Sequence, residues 1–463
     1  MLRKLDKTRW KARSIWAAAT LTGAALLASR APSVVRRYWK TLGEREAKKA
    51  NRRLEIPIPP LLHAKREKEI ERLIQASSTS EEPGNISPKT LESYAREMLP
   101  AFDPALYFRV ALPLAELLSR LMYRINPGEG DVDLHTHDAD SVVVVMSHRT
   151  NLDYVVLAHL FDGRAVLSFA AGEWASGPVL GPLVRGLGTY FVRRDSGDST
   201  YRRVLERFIQ TAVESRLTQA IFLEGGLTRT GLLRAPKIGL LDYMLRHFDP
   251  DNSPDIVFVP VAAGYDRILE DISLIQLRKQ GGGRPKRGWL SQAFASFALG
   301  NIRLYARGGR SQLGRAVVEV GSPVSFREYA AVRGLDLRVL EREDRIQEVS
   351  RFAEEMMRRI SAVSPILPVP LLSHVLLESD EELSRKALES EVEILIQSLL
   401  QREARLPVVE AAQVVEEGLR MLLLRGLVVV RGGAYCITPE QGEVLRYYAN
   451  ALVAVMEPER VSS

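Results

Sequence analysis

Short runs of almost unbroken apolar residues, spaced at helix-sized intervals, constrain this chain more than any other feature. The clearest is Ser141–Met146 (SVVVVM). Others are Ala165–Ala170, Gly188–Val192, Gln219–Leu223, Ile256–Val261 and Val317–Val320. A strand wetted on one face alternates apolar and polar residues, whereas a strand buried on both faces does not. Helix-compatible stretches such as 198–217 (DSTYRRVLERFIQTAVESRL) separate several of the runs. Together they predict an α/β fold, with a largely parallel central sheet covered by helices and with helical N-terminal and C-terminal regions.

Four segments follow from the changes in texture. Residues 1–60 read as a basic N-terminal arm, 61–90 as a charged, exposed helix and linker, 91–364 as the sheet-bearing domain, and 365–463 as a helical C-terminal region. The last contains LVVVRGGAYCIT, a short hairpin with Gly432-Gly433 at its turn. Helices followed by such a hairpin fit a winged-helix unit that could bind DNA. They fit better a helical cap packed on the sheet. Residues 278–289 (RKQGGGRPKRGW) read as a basic loop.

The arm carries the chain's charge asymmetry. The net charge is +7, yet residues 1–53 hold fifteen Lys or Arg against three acids. The remainder is therefore slightly acidic, and the arm seeks an anionic surface. Within it, Ser14–Ser29 (SIWAAATLTGAALLAS) offers sixteen uncharged residues. As a helix these reach about 24 Å, short of the roughly 30 Å hydrocarbon layer. Basic residues flank both ends, which argues against a cleaved leader and for a helix lying in, or dipping into, a lipid interface. Cys436 is the one cysteine, so no intrachain disulfide or Cys-based zinc site exists and a reducing compartment fits.

Chemistry concentrates where the apolar runs stop. After Ser141–Met146 come Ser-His-Arg-Thr-Asn-Leu-Asp, which places His148 at the end where open α/β sheets hold ligands. Asp153, five residues on, can accept one imidazole N–H and leave the other nitrogen as a general base. Equally, Asn151 or Asp153 can simply cap a helix. The run ending at Leu223 leads into Glu224, Gly225 and Gly226, followed by Arg229 and Lys237. Two cations beyond a Gly-Gly turn suit a phosphate, although an ordinary turn with solvated charges has the same composition. Gly188–Val192 ends in Arg193 and Arg194, of which one can face a site. Pro260, inside an apolar run, points to an edge strand or a bulge. His135 and His137 beside Asp138 could pair on a metal, but no helix-spaced third ligand accompanies them, and no metal or cofactor is expected. Neither a G-x-S-x-G elbow nor a Walker lysine turn is present.

In their order these blocks resemble the glycerolipid acyltransferase superfamily, and within it the bacterial membrane-bound glycerol-3-phosphate acyltransferase branch. SHRTNLDY is similar to its histidine–aspartate (H-x4-D) block and GTYFVRRDSGD to the second. FLEGGLTRTGLLRAPKIG resembles the third, of form FxEGGRSRTGRLxxPKxG, and IVFVPVAAGYDRILE the fourth. VEVGSPVSFREY and LRYYANALV look like later landmarks, so the likeness spans about 140–453. It implies that His148 is the general base and Asp153 its orienter. Arg193, Glu224, Gly225, Gly226 and Arg229 would form the glycerol-phosphate pocket, with Lys237 assisting and Pro260 shaping the site. The implied reaction moves a fatty acyl group from acyl-CoA or acyl carrier protein to glycerol 3-phosphate, giving lysophosphatidate. The implied setting is an anionic membrane surface, on the cytoplasmic face of the inner membrane, with no nucleic acid partner. One departure stands out: Leu227 occupies a position where the branch has arginine. It motivates a second reading, an acceptor such as lysophosphatidate or dihydroxyacetone phosphate. A third, a non-catalytic membrane- or DNA-associated protein, is prompted by the arm and the hairpin-bearing tail.

Overall fold

The computed structural model describes residues 33–63, 66–78, 87–127, 140–172, 180–193, 196–281, 313–379 and 381–457. Its main sheet comprises β1 (Arg124–Pro127), β2 (Ser141–Met146), β3 (Ser168–Gly172), β4 (Tyr190–Val192), β5 (Gln219–Phe222), β6 (Ile256–Tyr265), β7 (Arg315–Val320) and β8 (Val324–Ser325). Across the sheet the order is β1-β7-β6-β2-β5-β3-β4, with β8 also on β6. β2 lies between parallel neighbours β5 and β6, and β3 is parallel to β5 and β4. Only the β6–β7 and β6–β8 pairings of this sheet are antiparallel among the described residues.

The covering helices include α1 (Ser33–Ala50), α2 (Arg66–Ser78), α3 (Pro88–Met98), α4 (Asp153–Leu160), α5 (Ser199–Glu214), α6 (Asp271–Lys279), α7 (Arg342–Ala362), α8 (Pro368–Glu378), α9 (Arg385–Leu400), α10 (Ala411–Leu424) and α11 (Gly442–Ala449). The pleat of β2 shows how they divide. Val142, Val144 and Met146 face a core shared with Leu157 of α4, Leu372 of α8, Leu388 of α9, Leu422 of α10 and Leu445 of α11. Val143 and Val145 face another, with Leu73 of α2, Met98 of α3, Phe208 of α5 and Phe352 of α7. Successive side chains of a strand point to opposite faces, so a strand clothed on both sides must be apolar throughout.

The C-terminal helices are therefore the cover of one sheet face. Polar bolts add to the apolar contact. Arg425 and Asp271 form a buried ion pair at 2.5 Å, to which Tyr448 donates its hydroxyl. Arg315 of β7 grips Glu417 of α10 with two N–H groups, at 2.7 and 2.6 Å. The hairpin forms as expected: β10 (Val428–Arg431) and β11 (Ala434–Ile437) join through Gly432 and Gly433 at φ +56° and +88°, and β9 (Leu383–Ser384) adds to β11.

Residues 124–127, outside the apolar runs, form the edge strand β1, parallel to β7. Two expectations are corrected. The charged helix α2 is not simply exposed, because Ile70 and Leu73 bury one side of it. Of the two readings of Pro260, an edge strand or a bulge, the edge is overturned, while the ladder is interrupted beside it. β6 is interior, and the side of Pro260 that lacks an N–H faces the junction where β6 exchanges β8 for β7. Its carbonyl there accepts the Gly321 N–H at 2.8 Å, so the missing donor falls in a gap of the ladder.

The segment Ser14–Ser29, the His135/His137/Asp138 cluster and Arg194 lie outside the described residues. Among the described residues no helix is long and apolar enough to cross a membrane.

Candidate active site

β2 ends at Met146, and His148 lies just past its C-terminal end, largely buried. Its ring stacks on Phe222, the last residue of β5, with centroids 3.9 Å apart, and meets Tyr154 edge-on. The imidazole Nδ1–H donates to Oδ2 of Asp153 at 2.9 Å. The same oxygen accepts the backbone N–H groups of Arg149 (2.8 Å) and Thr150 (3.1 Å). Asp153 therefore binds the preceding loop and the imidazole. It does not cap its helix, and Asn151 is spent on Glu270. With Nδ1 engaged, Nε2 is the nitrogen left to accept a proton, and no other group among the described residues bonds the ring.

Glu224, at the mouth of the neighbouring strand, is 1% exposed. One of its oxygens accepts the backbone N–H of His148 at 3.0 Å, and the other accepts that of Arg234 at 3.1 Å. Burial pushes its carboxyl up to about 7, against the opposing pull of the Arg149 charge, these backbone donors and the Arg234 charge. The backbone N–H groups of His148, Arg149 and Thr150 are thus all engaged by carboxylates.

The turn after Glu224 is stitched to the histidine loop. Thr228 N–H donates to the His148 carbonyl at 3.0 Å, and the Arg149 guanidinium donates to the Gly231 carbonyl. Gly225 adopts φ +63°, and a Cβ there would meet Lys237 Cγ at 2.9 Å. Gly226 is buried beside it. Lys237 closes the segment through its backbone N–H on Leu223 (2.7 Å) and leaves its side chain exposed. Arg229 follows Thr228 directly and is partly exposed. Hence His148, Asp153, Glu224, Gly225, Gly226, Arg229 and Lys237 belong to two adjoining segments.

Arg193 is placed differently. It follows β4, which β3 and β5 separate from β2. Its guanidinium is held by Glu97 of α3 (2.9 and 2.5 Å) and lies over the rings of Tyr94 and Tyr201. Leu227 turns inward and packs against the apolar core.

Several participants were not anticipated. The Tyr265 hydroxyl donates to Oδ1 of Asp153 at 2.6 Å. Glu270 accepts from Thr150 Oγ1 (2.7 Å), Asn151 N–H (3.1 Å) and Asn151 Nδ2 (2.9 Å). Arg234 lays its guanidinium on the Gly226 carbonyl at 3.2 Å, over the turn that contains Leu227. The signal for the first two was a Tyr and a Glu closing the apolar block at 256–270. For Arg234 it was a third cation in the block of Arg229 and Lys237.

An imidazole–carboxylate pair at a strand mouth, beside a cation-bearing glycine turn, has the chemistry to activate a hydroxyl. Comparisons with known proteins give the following likenesses. A family model described as Acyltransferase matches residues 131–264, and one described as Glycerol-3-phosphate acyltransferase C-terminal region matches residues 299–459. The chain is thus similar to glycerol-3-phosphate acyltransferases in two regions that between them take in most of its length. A glycerol-3-phosphate acyltransferase of Shewanella woodyi is 26% identical over 412 residues, 84% of this chain and 49% of the relative. One of Pseudomonas fluorescens is 29% identical over 248 residues, 51% of this chain and 28% of the relative. The chain thus spans about half, or less, of the length of the curated relatives it matches. Among solved structures, the 1-acyl-sn-glycerophosphate acyltransferase of Thermotoga maritima is 16% identical with a TM-score of 0.31, covering 62% of this chain and 87% of its own.

Proposed function

We propose that this chain transfers a fatty acyl group from acyl-CoA or acyl carrier protein to a hydroxyl of glycerol 3-phosphate, giving lysophosphatidate. The observation that carries the reading is the His148–Asp153 pair, with Nδ1 held and Nε2 left to accept a proton, joined backbone to backbone with the cation-bearing turn. The substrate hydroxyl donates to Nε2. As its oxygen attacks the thioester carbon, the proton passes to the imidazole, and Asp153 holds the resulting cation. The C–S bond then breaks, and the leaving thiolate takes the proton back. Ester and thiol are the products, and no acyl-enzyme forms. Since the N–H groups of residues 148–150 already serve Glu224 and Asp153, the donors for the thioester oxyanion lie elsewhere.

In this reading the phosphate is gripped by Arg229, with Lys237 in support. Arg234 supplies a guanidinium over the turn where Leu227 offers none. Arg193 joins only by exchanging Glu97 for the substrate. Arg45, Lys48, Lys49, Arg52 and Arg53 form a basic patch at the end of α1, which suits docking of the arm on an anionic membrane at the cytoplasmic face of the inner membrane.

The test is turnover of labelled glycerol 3-phosphate with a long-chain acyl-CoA by the full chain. Lysophosphatidate as product is expected. The inward-facing Leu227 favours the second reading, another acceptor. A panel ranked by kcat/KM, with lysophosphatidate or dihydroxyacetone phosphate first, would establish it instead.

A further inference from the structure

β6 runs four residues beyond its last pairing with β2 and ends at Tyr265. That extension carries the phenol to the far side of Asp153. The two oxygens of Asp153 then have separate tasks. Oδ2 takes the His148 ring and two backbone N–H groups, while Oδ1 takes the Tyr265 hydroxyl at 2.6 Å. Asp153 is 0% exposed and Tyr265 5%, so water competes little for either oxygen. Burial and the adjacent carboxylate hold the phenol well above its ordinary range, and it remains a donor at any working pH.

We infer that Tyr265 is a positioning residue that fixes the rotation of Asp153 and moderates how strongly this carboxylate backs the His148 imidazole. The inference rests on the proposed role of His148 as base. A hydrogen bond to a carboxylate disperses its charge. Tyr265 therefore lessens the hold of Asp153 on the imidazolium that forms when the ring takes the acceptor proton. Other charged or titratable groups surround the relay. Glu224 holds the His148 backbone N–H, Glu270 holds Thr150 and Asn151, Arg149 holds Gly231, and the Tyr123 ring packs 5.4 Å from that of Tyr265. Among the described residues none of them bonds the Tyr265 hydroxyl, so the removal of that hydroxyl alone leaves their hydrogen bonds in place.

The experiment is the pH profile of kcat/KM for glycerol 3-phosphate with the full chain and two variants. Tyr265→Phe is expected to move the acid limb up by about half to one pH unit. The rate should fall severalfold near pH 6.5 and recover by pH 9, with the acceptor KM unchanged. A monofluorotyrosine placed at 265 by nonsense suppression is a stronger donor and keeps the packing; it should move the limb down. Opposite shifts support the inference. Profiles that superimpose on the native one, or a uniform loss at every pH, overturn it while native turnover continues. A native chain with no turnover on any acceptor removes the proposed function first, and this inference with it.

Discussion

Glu224 accepts the backbone N–H of His148 at 3.0 Å across 76 residues of chain. The contact joins the ends of two neighbouring parallel strands, β2 and β5, so the acid positions the loop that carries His148. A side chain expected to sit in a substrate pocket is thereby also part of the scaffold of that pocket.

Replacing His148 by Ala should lower kcat by about 10²–10⁴-fold, the usual worth of a positioned general base. Asp153→Asn should fall in the same range, because the amide cannot serve the ring and both loop N–H groups in the same way. Initial rates paired with far-UV circular dichroism check this. Full turnover by a folded His148→Ala protein would sink the assignment.

The raised carboxyl of Glu224 gives stability a pH dependence. Its ordinary value is 4.5 and its folded value about 7, so the folded chain keeps a proton that the unfolded chain releases. The contribution is fully present below pH 4.5 and is lost as pH rises through 7, to the extent of about 3 kcal/mol. Glu224→Gln cannot ionise. Denaturant unfolding from pH 4.5 to 8 should show the variant gaining on the native protein by about that amount. Parallel curves would mean that the carboxyl ionises normally.

Arg234→Ala should raise the KM for glycerol 3-phosphate about tenfold, the equivalent of one charge-assisted hydrogen bond. The acyl-CoA KM should stay within error. Steady-state kinetics on the native chain and the variant decide it.

Gly231 has φ +83°, and a Cβ there would stand 1.8 Å from the Tyr447 carbonyl oxygen. Gly231→Ala should therefore cost more than about 2 kcal/mol, from backbone strain and from displacing α11. Breaking the buried Arg425–Asp271 pair with Arg425→Met should cost about 3–5 kcal/mol. Thermal unfolding measures both, and unchanged midpoints would show that the C-terminal cover is loosely held.

Residues that act within one stretch of chain were the legible ones. β2 has the ends its apolar run predicts, and His148 and Asp153 meet because a five-residue spacing lets a loop close on itself. Tyr265 and Glu270 were not legible, because their partners lie 112 and 120 residues away. Pro260 was half legible: proline marks an interruption in a ladder, at an edge or at a bulge, and here the interruption arises where two partner strands meet beside an interior strand. Arg193 shows the reverse limit. Its position after a strand was readable, but its partner Glu97 belongs to a helix nearly a hundred residues earlier.

The division of covers on β2 has a consequence for synthesis. One flank of the strand is clothed by helices that include α8 to α11, all translated after the main sheet. Until Leu445 has left the ribosome, the nascent sheet presents a greasy, unfinished flank, and the loop bearing His148 sits above it. The growing polypeptide should therefore be catalytically silent and a client for holding chaperones until α11 emerges.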